Sequence, residues 1–343
     1  MTQPTRRRRS VTIVDVAKYA GVSPMSVSRV INGDSGVREA TRTIVNDAIR
    51  ELNYTPNLMA RSLVTLREIR IGVVYSNPSA AFMGDFLAGV FEEASNRAAQ
   101  LILLKGQAGG APSADAVRRL LASGIGGVIL APPLGEAQRL RRMLHDAAVP
   151  VALVGAVATD AIAVGIDDRG AARDMTRHLI AMGHRRIGFV VGNPDQQASI
   201  ARLDGFRSAV AEAGDVTPTI VQGDFSYASG LIAGEALLGA DDRPTAVFAS
   251  NDDMAAAVVS VAHRRHLDVP ADLTVTGFDD STAAVTLWPP LTTIRQPVQQ
   301  LAAEALQLLI REMRTAEPLP AAERLRLLDH ALIERQSTAP PSA

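Results

Sequence analysis

Cysteine is absent from the 343-residue chain, which removes disulfides, thiolate metal sites and a cysteine nucleophile from consideration. No run of about 18 apolar residues occurs, so a spanning helix is excluded. The N-terminal arginines are not followed by an apolar segment of signal-peptide type, so a secretory signal is not expected. With the missing cysteines, this fits a reducing cytoplasm. His145, His178, His184, His263, His266 and His330 show no metal-ligand spacing with acidic partners. His263 and His266 read as one exposed helix face, and His184 as part of a helix-ending turn. The glycine-rich GIGG at 124–127 lies after a helix and before a strand, whereas a dinucleotide fingerprint needs strand, then glycines, then helix. No nucleophile–base pair stands out, so neither an enzyme nor a cofactor is called for. Hydrophobic residues make up 47% of the chain, enough for the cores of two or three domains.

What is present is most informative at 12–32, TIVDVAKYAGVSPMSVSRVIN. It reads as two short helices around a tight turn. Thr12 with Asp15 three residues later has the form of a capping box. Val14, Val16, Ala17 and Ala20 offer apolar or small surface, and Gly21 permits the positive φ of a sharp turn. Ser23 is placed to cap the second helix, and Pro24 takes its first position, where a missing N–H costs nothing. Val27, Val30 and Ile31 face inward at helical spacing, leaving Pro24, Met25, Ser26, Ser28, Arg29 and Asn32 outside. Short polar side chains and one arginine on the first turns of a helix suit a DNA major groove. An ordinary helical hairpin has the same pattern.

Charge separates the two readings. Residues 1–66 carry 10 Lys+Arg against 5 Asp+Glu, and the remainder 25 against 31. A net charge of −1 therefore conceals a basic head on an acidic body, the footprint of a nucleic-acid-binding module. Arg6 to Arg9 form a basic arm without aromatic interleaving, suited to phosphate attraction alone.

A third helix is expected at about 39–53, with Ala40, Ile44, Val45, Ala48, Ile49 and Leu52 as its inward stripe. Pro56 disfavours helix at Thr55. Residues 57–64, NLMARSLV, could make about two helical turns, too few to hold alone in water, so they need a second copy or DNA. From Ile69 onward, short apolar runs alternate with amphipathic stretches in two successive series: IRIGVVY, LILLK, GGVILA and PVALVG, then RIGFVVG, TIVQGD, AVFASND and LTVTGFDD. This alternation predicts two α/β lobes with parallel sheets and a ligand crevice at the C-terminal ends of the strands. The helix at 298–314 and the strand-like ALIER at 331–335 are expected to complete the first and second lobes respectively.

Taken in order, VTIVDVAKYAGVS, SVSRVING, ELNYTPN with Ala60 and Leu63 beyond it, LIAMGHRRIGFV, RLDGF, FASNDDMA, VTGFDDS and PPLTTIRQP resemble the lactose-repressor/galactose-repressor (LacI/GalR) family of bacterial transcription regulators over nearly the whole length. The resemblance implies an all-α helix-turn-helix head and a two-lobed α/β domain like a periplasmic binding protein, with two doubly wound parallel sheets. The implied divisions are a basic arm at 1–10, the head at 11–56, a hinge helix at 57–66 and an effector and dimerisation domain at 67–335. Lobe one would hold about 67–166 and 297–325, lobe two about 167–296 and 326–335, with 336–343 as a tail.

The resemblance further implies a homodimer on palindromic double-stranded operator DNA. The implied DNA-facing set is Thr12, Ser23, Pro24, Met25, Ser26, Ser28, Arg29, Asn32, Tyr54, Asn57, Ala60 and Leu63. Pro24 and Met25 occupy the positions that set operator preference. Arg29 looks like a base-contacting arginine, able to donate two hydrogen bonds to one guanine. Ser28 and Asn32 match phosphate contacts. Leu63 matches the apolar wedge that kinks the operator centre, or it packs between hinge helices. Arg38 departs from the small capping residue common before the third helix, so that helix starts elsewhere or Asp34 or Ser35 compensates.

For the effector, the resemblance implies a cleft with Arg202, Asn251, Asp279 and Gln296 as polar contacts. Phe225 would be an aromatic stacking face, with Asn77 and Phe82 opposite. That mixture suits a polyhydroxylated, sugar-like molecule. Asp252 is expected to cap the helix after Asn251, and Asp280 to cap or pair locally. Trp288 is either a cleft wall or a packing residue. Gly155 replaces an acidic residue of several sugar-binding members, so one hydroxyl contact is missing. The expected mechanism is a repressor of carbohydrate-utilisation genes, in which lobe closure is coupled to the hinge helices. Whether the effector induces or corepresses stays open. The stretch after the last strand holds no leucine heptads, so a dimer is expected rather than a tetramer. A periplasmic solute-binding protein without DNA function would share the lobes but not the basic head.

Overall fold

The computed structural model describes residues 12–31, 37–52, 69–107, 110–156, 158, 160–315 and 318–342. Backbone contacts divide the chain into one unit up to residue 68 and another from residue 69 onward.

In the first unit, α1 (Ile13–Ala20), α2 (Pro24–Ile31) and α3 (Glu39–Glu51) surround Val16, Ala17, Val27, Val30, Val45 and Ala48. The capping box forms as expected: the Asp15 amide donates to the Thr12 hydroxyl, and the Thr12 amide donates to the Asp15 carboxylate at 2.8 Å. Gly21 has φ of 64° and closes α1 in the left-handed conformation. The Ser26 amide donates to Ser23 Oγ at 3.1 Å, capping α2, and the two serine oxygens lie 2.9 Å apart. Arg38 sits at the N-cap of α3 and makes no capping bond.

The expected stripe on α3 is too wide. Ala40 and Ile44 are exposed, whereas Val45 and Ala48 are buried and Ile49 and Leu52 pack against them. The helix phase that seats Val45 turns Ile44 about 100° away. The basic arm, Asp34, Ser35, Asn32, Tyr54, Asn57, Ala60, Leu63 and the hinge segment lie outside the described residues.

The second unit contains two sheets of six strands, each built the same way. In lobe one β1 (Arg70–Tyr75), β2 (Gln100–Lys105), β3 (Gly127–Leu130), β4 (Val151–Val154), β5 (Ile162–Gly165) and the later β11 (Leu325–Leu327) lie in the order β2-β1-β3-β4-β5-β11. All its pairs are parallel. The helices between are α4 (Ala80–Asn96), α5 (Ala114–Ala122) and α6 (Gln138–Asp146), with a single 3-10 turn at Leu134–Glu136.

Lobe two repeats the pattern with β6 (Arg186–Val191), β7 (Thr217–Gln222), β8 (Ala246–Ala249), β9 (Thr274–Asp279), β10 (Thr292–Arg295) and β12 (Ala331–Ile333), ordered β7-β6-β8-β9-β10-β12. Only β12 is antiparallel, against β10. Its helices are α7 (Asp168–Ala181), α8 (Gln197–Ala213), α9 (Tyr227–Leu238), α10 (Asp252–Arg264) and the short α11 (Thr282–Thr286). Then α12 (Val298–Thr315) returns to pack on α4 and on β3, β4 and β5, followed by α13 (Ala321–Arg324). The return of the C-terminal helix to lobe one and the last strand to lobe two is as expected. The strands β5 and β10 were not singled out in the sequence. Each is four residues long and almost wholly buried, so neither shows the alternation that marks a half-buried strand.

Close helix packing uses glycine where it must. A Cβ on Gly89 of α4 would stand 2.2 Å from the Gln299 carbonyl oxygen, and one on Gly205 of α8 2.1 Å from that of Arg169. Ser337, within the expected tail, is fully buried. Its hydroxyl donates to the Val275 carbonyl and accepts from the Thr292 amide.

In each sheet the strand order reverses beside the first strand, between β1 and β3 and between β6 and β8. Loops leaving C-terminal strand ends on either side of such a reversal diverge and leave a crevice. The two crevices face one another in one cleft.

Candidate functional site

The cleft is about 540 Å³, its open mouth included. Every sequence-predicted effector residue lines it: Asn77, Phe82, Arg202, Phe225, Asn251, Asp279 and Gln296. Arg202 is only 5% exposed, and its position follows from the α8 face that carries it. Phe206, one turn on, stacks on Phe189 of β6 at 4.6 Å, and Phe189 meets Phe248 of β8 edge-on at 5.2 Å. Residues i and i+4 share a helix face, so the anchoring of Phe206 turns Arg202 inward. Its Nε donates to Asp168 at 2.8 Å and its Nη1 to the Ser250 carbonyl at 2.6 Å. The guanidinium carbon lies 3.6 Å from the Phe278 ring centre and 5.8 Å from that of Phe225. Asp279 completes the group, 3.9 Å from Arg202 Nη1 and accepting from Gln296 Nε2 at 2.6 Å.

Burial dominates the protonation of these carboxyls. It pushes Asp168 above the usual carboxylate range against the pull of Arg202. It raises Asp279 well above that range, again against Arg202 and with the charge of Asp252 adding to the rise. A protonated Asp279 can donate as well as accept, which suits recognition of hydroxyls.

Asn251 is 2% exposed and its amide is already engaged. Oδ1 accepts from the Met254 amide and Nδ2 donates to the Phe225 carbonyl, both at 2.9 Å. It is therefore Asn251 that caps α10, and the expectation that Asp252 does so is corrected. Asp252 lies inside the first turn and accepts from the Ser281 amide at 2.7 Å and the Thr293 hydroxyl at 2.6 Å. Burial pushes its carboxyl up to about 7. Asp280 pairs with Arg295 at 2.6 Å and Arg335 at 2.5 Å, so it anchors the left-handed turn at Asp279–Asp280 (φ 114° and 57°). Trp288 is neither a cleft wall nor packed. It is 75% exposed and does not line the cleft.

On the head, Pro24, Met25 and Arg29 share the outer face of α2, with Met25 69% exposed. Ser26 and Ser28 are partly covered, and Thr12 and Ser23 spend their hydroxyls on caps. Residues 12–57 match the family model described as bacterial regulatory proteins, lacI family, and residues 176–338 match a periplasmic binding protein-like domain. The chain is 37% identical over 340 residues to the HTH-type transcriptional regulator CelR of Thermobifida fusca, covering 95% of this chain and 98% of that one. The chain belongs to the LacI family of bacterial regulatory proteins.

Two solved structures extend the likeness. A complex of the transcriptional regulator CelR with cellobiose has a TM-score of 0.69 at 32% identity, covering 95% of this chain and 99% of that one. The lac repressor dimer bound to operator and the anti-inducer ONPF has a TM-score of 0.75 at 28% identity, covering 96% and 100%. These relatives are transcriptional regulators, not enzymes. The head and two-lobed architecture expected from the sequence is the one observed.

Several cleft residues of this LacI-family chain were not picked out in the sequence. These are Asp168, Gln196, Ser79, Pro132, Val154 and Ile166. The available signal was position: Ser79, Pro132, Asp168 and Gln196 all follow a strand end. Gly192 has a distinct role, since a Cβ there would lie 2.1 Å from Cζ of the Phe225 ring. Gly192→Ala is accordingly expected to displace that ring and weaken effector binding roughly tenfold, at a stability cost of about 1–3 kcal/mol. Calorimetric titration alongside thermal unfolding measures both effects.

Proposed function

We propose that the chain is a homodimeric repressor of carbohydrate-utilisation genes, acting in the cytoplasm. Each head would place α2 in one half-site of a palindromic operator, and a small sugar-like effector in the cleft would control binding. The observation that carries this reading is the Arg202–Asp168–Asp279 group, buried at the junction of two lobes, in a chain whose head has an exposed reading face on α2. Guanidinium, carboxyl and amide groups between two aromatic faces match a polyhydroxylated ligand. The operator and dimer of the lac repressor structure and the cellobiose of the CelR complex are in keeping with it.

The proposed divisions are arm 1–10, head 11–56 and hinge 57–66, with an effector domain that begins at 67 and runs past the expected 335 through the buried Ser337. In the hinge, Leu63 would enter the operator's minor groove, with Tyr54, Asn57 and Ala60 beside it. A segment too short to be helical alone folds only with a partner, so a shift between lobes can bias it. Footprinting of the purified protein on DNA upstream of its own gene tests the reading. A protected palindromic site that responds to a sugar is expected, and no such site at moderate salt would overturn it. On that site Arg29→Ala should weaken binding about 5- to 150-fold and relax preference at one base pair per half-site. Met25 substitutions should instead alter which base is preferred. A gel-shift comparison across operator variants reads both.

A further inference from the structure

The two walls of the cleft differ in chemistry. Lobe two and the crossover supply Asp168, Gln196, Arg202, Asn251, Asp279 and Gln296 beside the apolar Ala198 and Phe225, whereas lobe one supplies chiefly Phe82, Pro132, Val154, Gly155, Ile166 and Leu301. Among the described residues, lobe one's polar side chains there are Asn77 and Ser79, and both are partly spent on the loop. Asn77 Oδ1 accepts from the Ser79 amide at 2.9 Å, and Ser79 Oγ accepts from the Phe82 amide at 3.2 Å. Gly155 has φ of 69°, and a Cβ on it would stand 2.9 Å from Pro132 Cγ. A side chain cannot be added there without strain, so backbone geometry keeps this wall apolar.

The charges are equally one-sided. The ionisable side chains lining the cleft among the described residues are Asp168, Arg202 and Asp279. Arg202 already binds Asp168 and the Ser250 carbonyl, and its remaining Nη2 group suffices for a hydroxyl. An anionic ligand would have to draw Arg202, the one cation lining the cleft among the described residues, away from the Asp168 carboxyl that already holds it. A hydroxyl pressed on the lobe-one wall would lose its hydrogen bonds to water without replacement.

Resting on the reading of the cleft as a sugar site, we infer that its effector is an uncharged deoxyhexose. Its hydroxyls would meet lobe two, its deoxygenated edge would lie on Pro132 and Ile166, and sugar acids and sugar phosphates would be excluded. Calorimetric titration of the full-length protein with matched pairs tests this. The pairs are glucose, galactose and mannose, in both enantiomeric series, each against its 6-deoxy counterpart; glucose 6-phosphate, galacturonate and cellobiose complete the set. One 6-deoxy sugar should bind roughly tenfold or more tighter than its parent, since an unpaired buried hydroxyl is costly, and neither anion should bind. In Ile166→Thr, checked for folding by thermal unfolding, the new hydroxyl should narrow that ratio. A parent hexose, cellobiose or an anion as the tightest ligand overturns this inference while leaving the sugar-sensing reading intact. If none of these sugars binds, both fall.

Discussion

Replacing Arg202 by methionine is expected to abolish the response to effector and to destabilise the two-lobed unit by about 3–5 kcal/mol, because it leaves buried carboxyls without their partner. Asp168 and Asp279 both face the guanidinium, and Phe278 stacks against it at 3.6 Å. Methionine fills much of the volume yet supplies none of the donors. Lysine is no remedy, since a single ammonium cannot reproduce the planar fork that reaches Asp168 and the Ser250 carbonyl while lying flat on a ring. The double variant Arg202→Met with Asp168→Asn separates the two roles. Removing the Asp168 carboxyl as well, with Asp279 still held by Gln296, should recover part of the stability but none of the effector binding. Thermal unfolding and calorimetric titration read the two effects, while gel-shift binding to operator should persist, since α2 is part of a separate unit. Full effector affinity in the double variant would show that Arg202 serves the fold alone.

Asp252→Ala should be nearly as damaging. The Ser281 amide and the Thr293 hydroxyl both donate to this carboxyl, and each buried donor left unpaired costs about 1–3 kcal/mol. The same residue gives the protein a pH-dependent stability. Its carboxyl is raised from 3.8 to about 7, so the folded state holds this proton more tightly than the unfolded state does. The contribution is therefore fully present below about pH 4 and is lost as pH rises towards about 7, at up to about 1.4 kcal/mol per pH unit. Asp252→Asn keeps an acceptor for the Ser281 amide and can donate to the Thr293 oxygen. It should fold and show a flatter dependence of unfolding midpoint on pH over that window than the unaltered protein. An unchanged slope in Asp252→Asn would sink this assignment.

Asp252 also shows how far the sequence could be read. An acid beginning a helix looks like a cap, and the cap was assigned to it, but Asn251 one residue earlier has the extended backbone that a cap requires. What decided the matter was Thr293, 41 residues away. Trp288 was equally opaque, since nothing local distinguishes a wall, a packed ring and an exposed one. Ile44 was misplaced because an apolar residue at the margin of a helical stripe can fall on either side of it. Phe225, by contrast, lines the cleft in which the resemblance put it, although its φ of 73° and its fit against Gly192 emerged only in three dimensions.

By itself the sequence determined the features whose cause lies within a few residues. The Thr12–Asp15 capping box, the Gly21 turn and the Ser23 cap are hydrogen bonds or dihedral preferences spanning three or four positions, and so were legible. The strand and helix alternation of the two lobes was legible for the same reason, because amphipathic periodicity is local. Ordered motifs carried the family and, with it, seven residues of the cleft. Tertiary structure alone decided how those residues act on one another. Arg202 meets Asp168 34 positions away and Ser250 48 positions away, because the reversal of strand order brings separate loops to one crevice. The contrast between a polar lobe-two wall and an apolar lobe-one wall arises at the same place. Charge balance and burial in a cleft are sums over neighbours in space, and chain order does not record them.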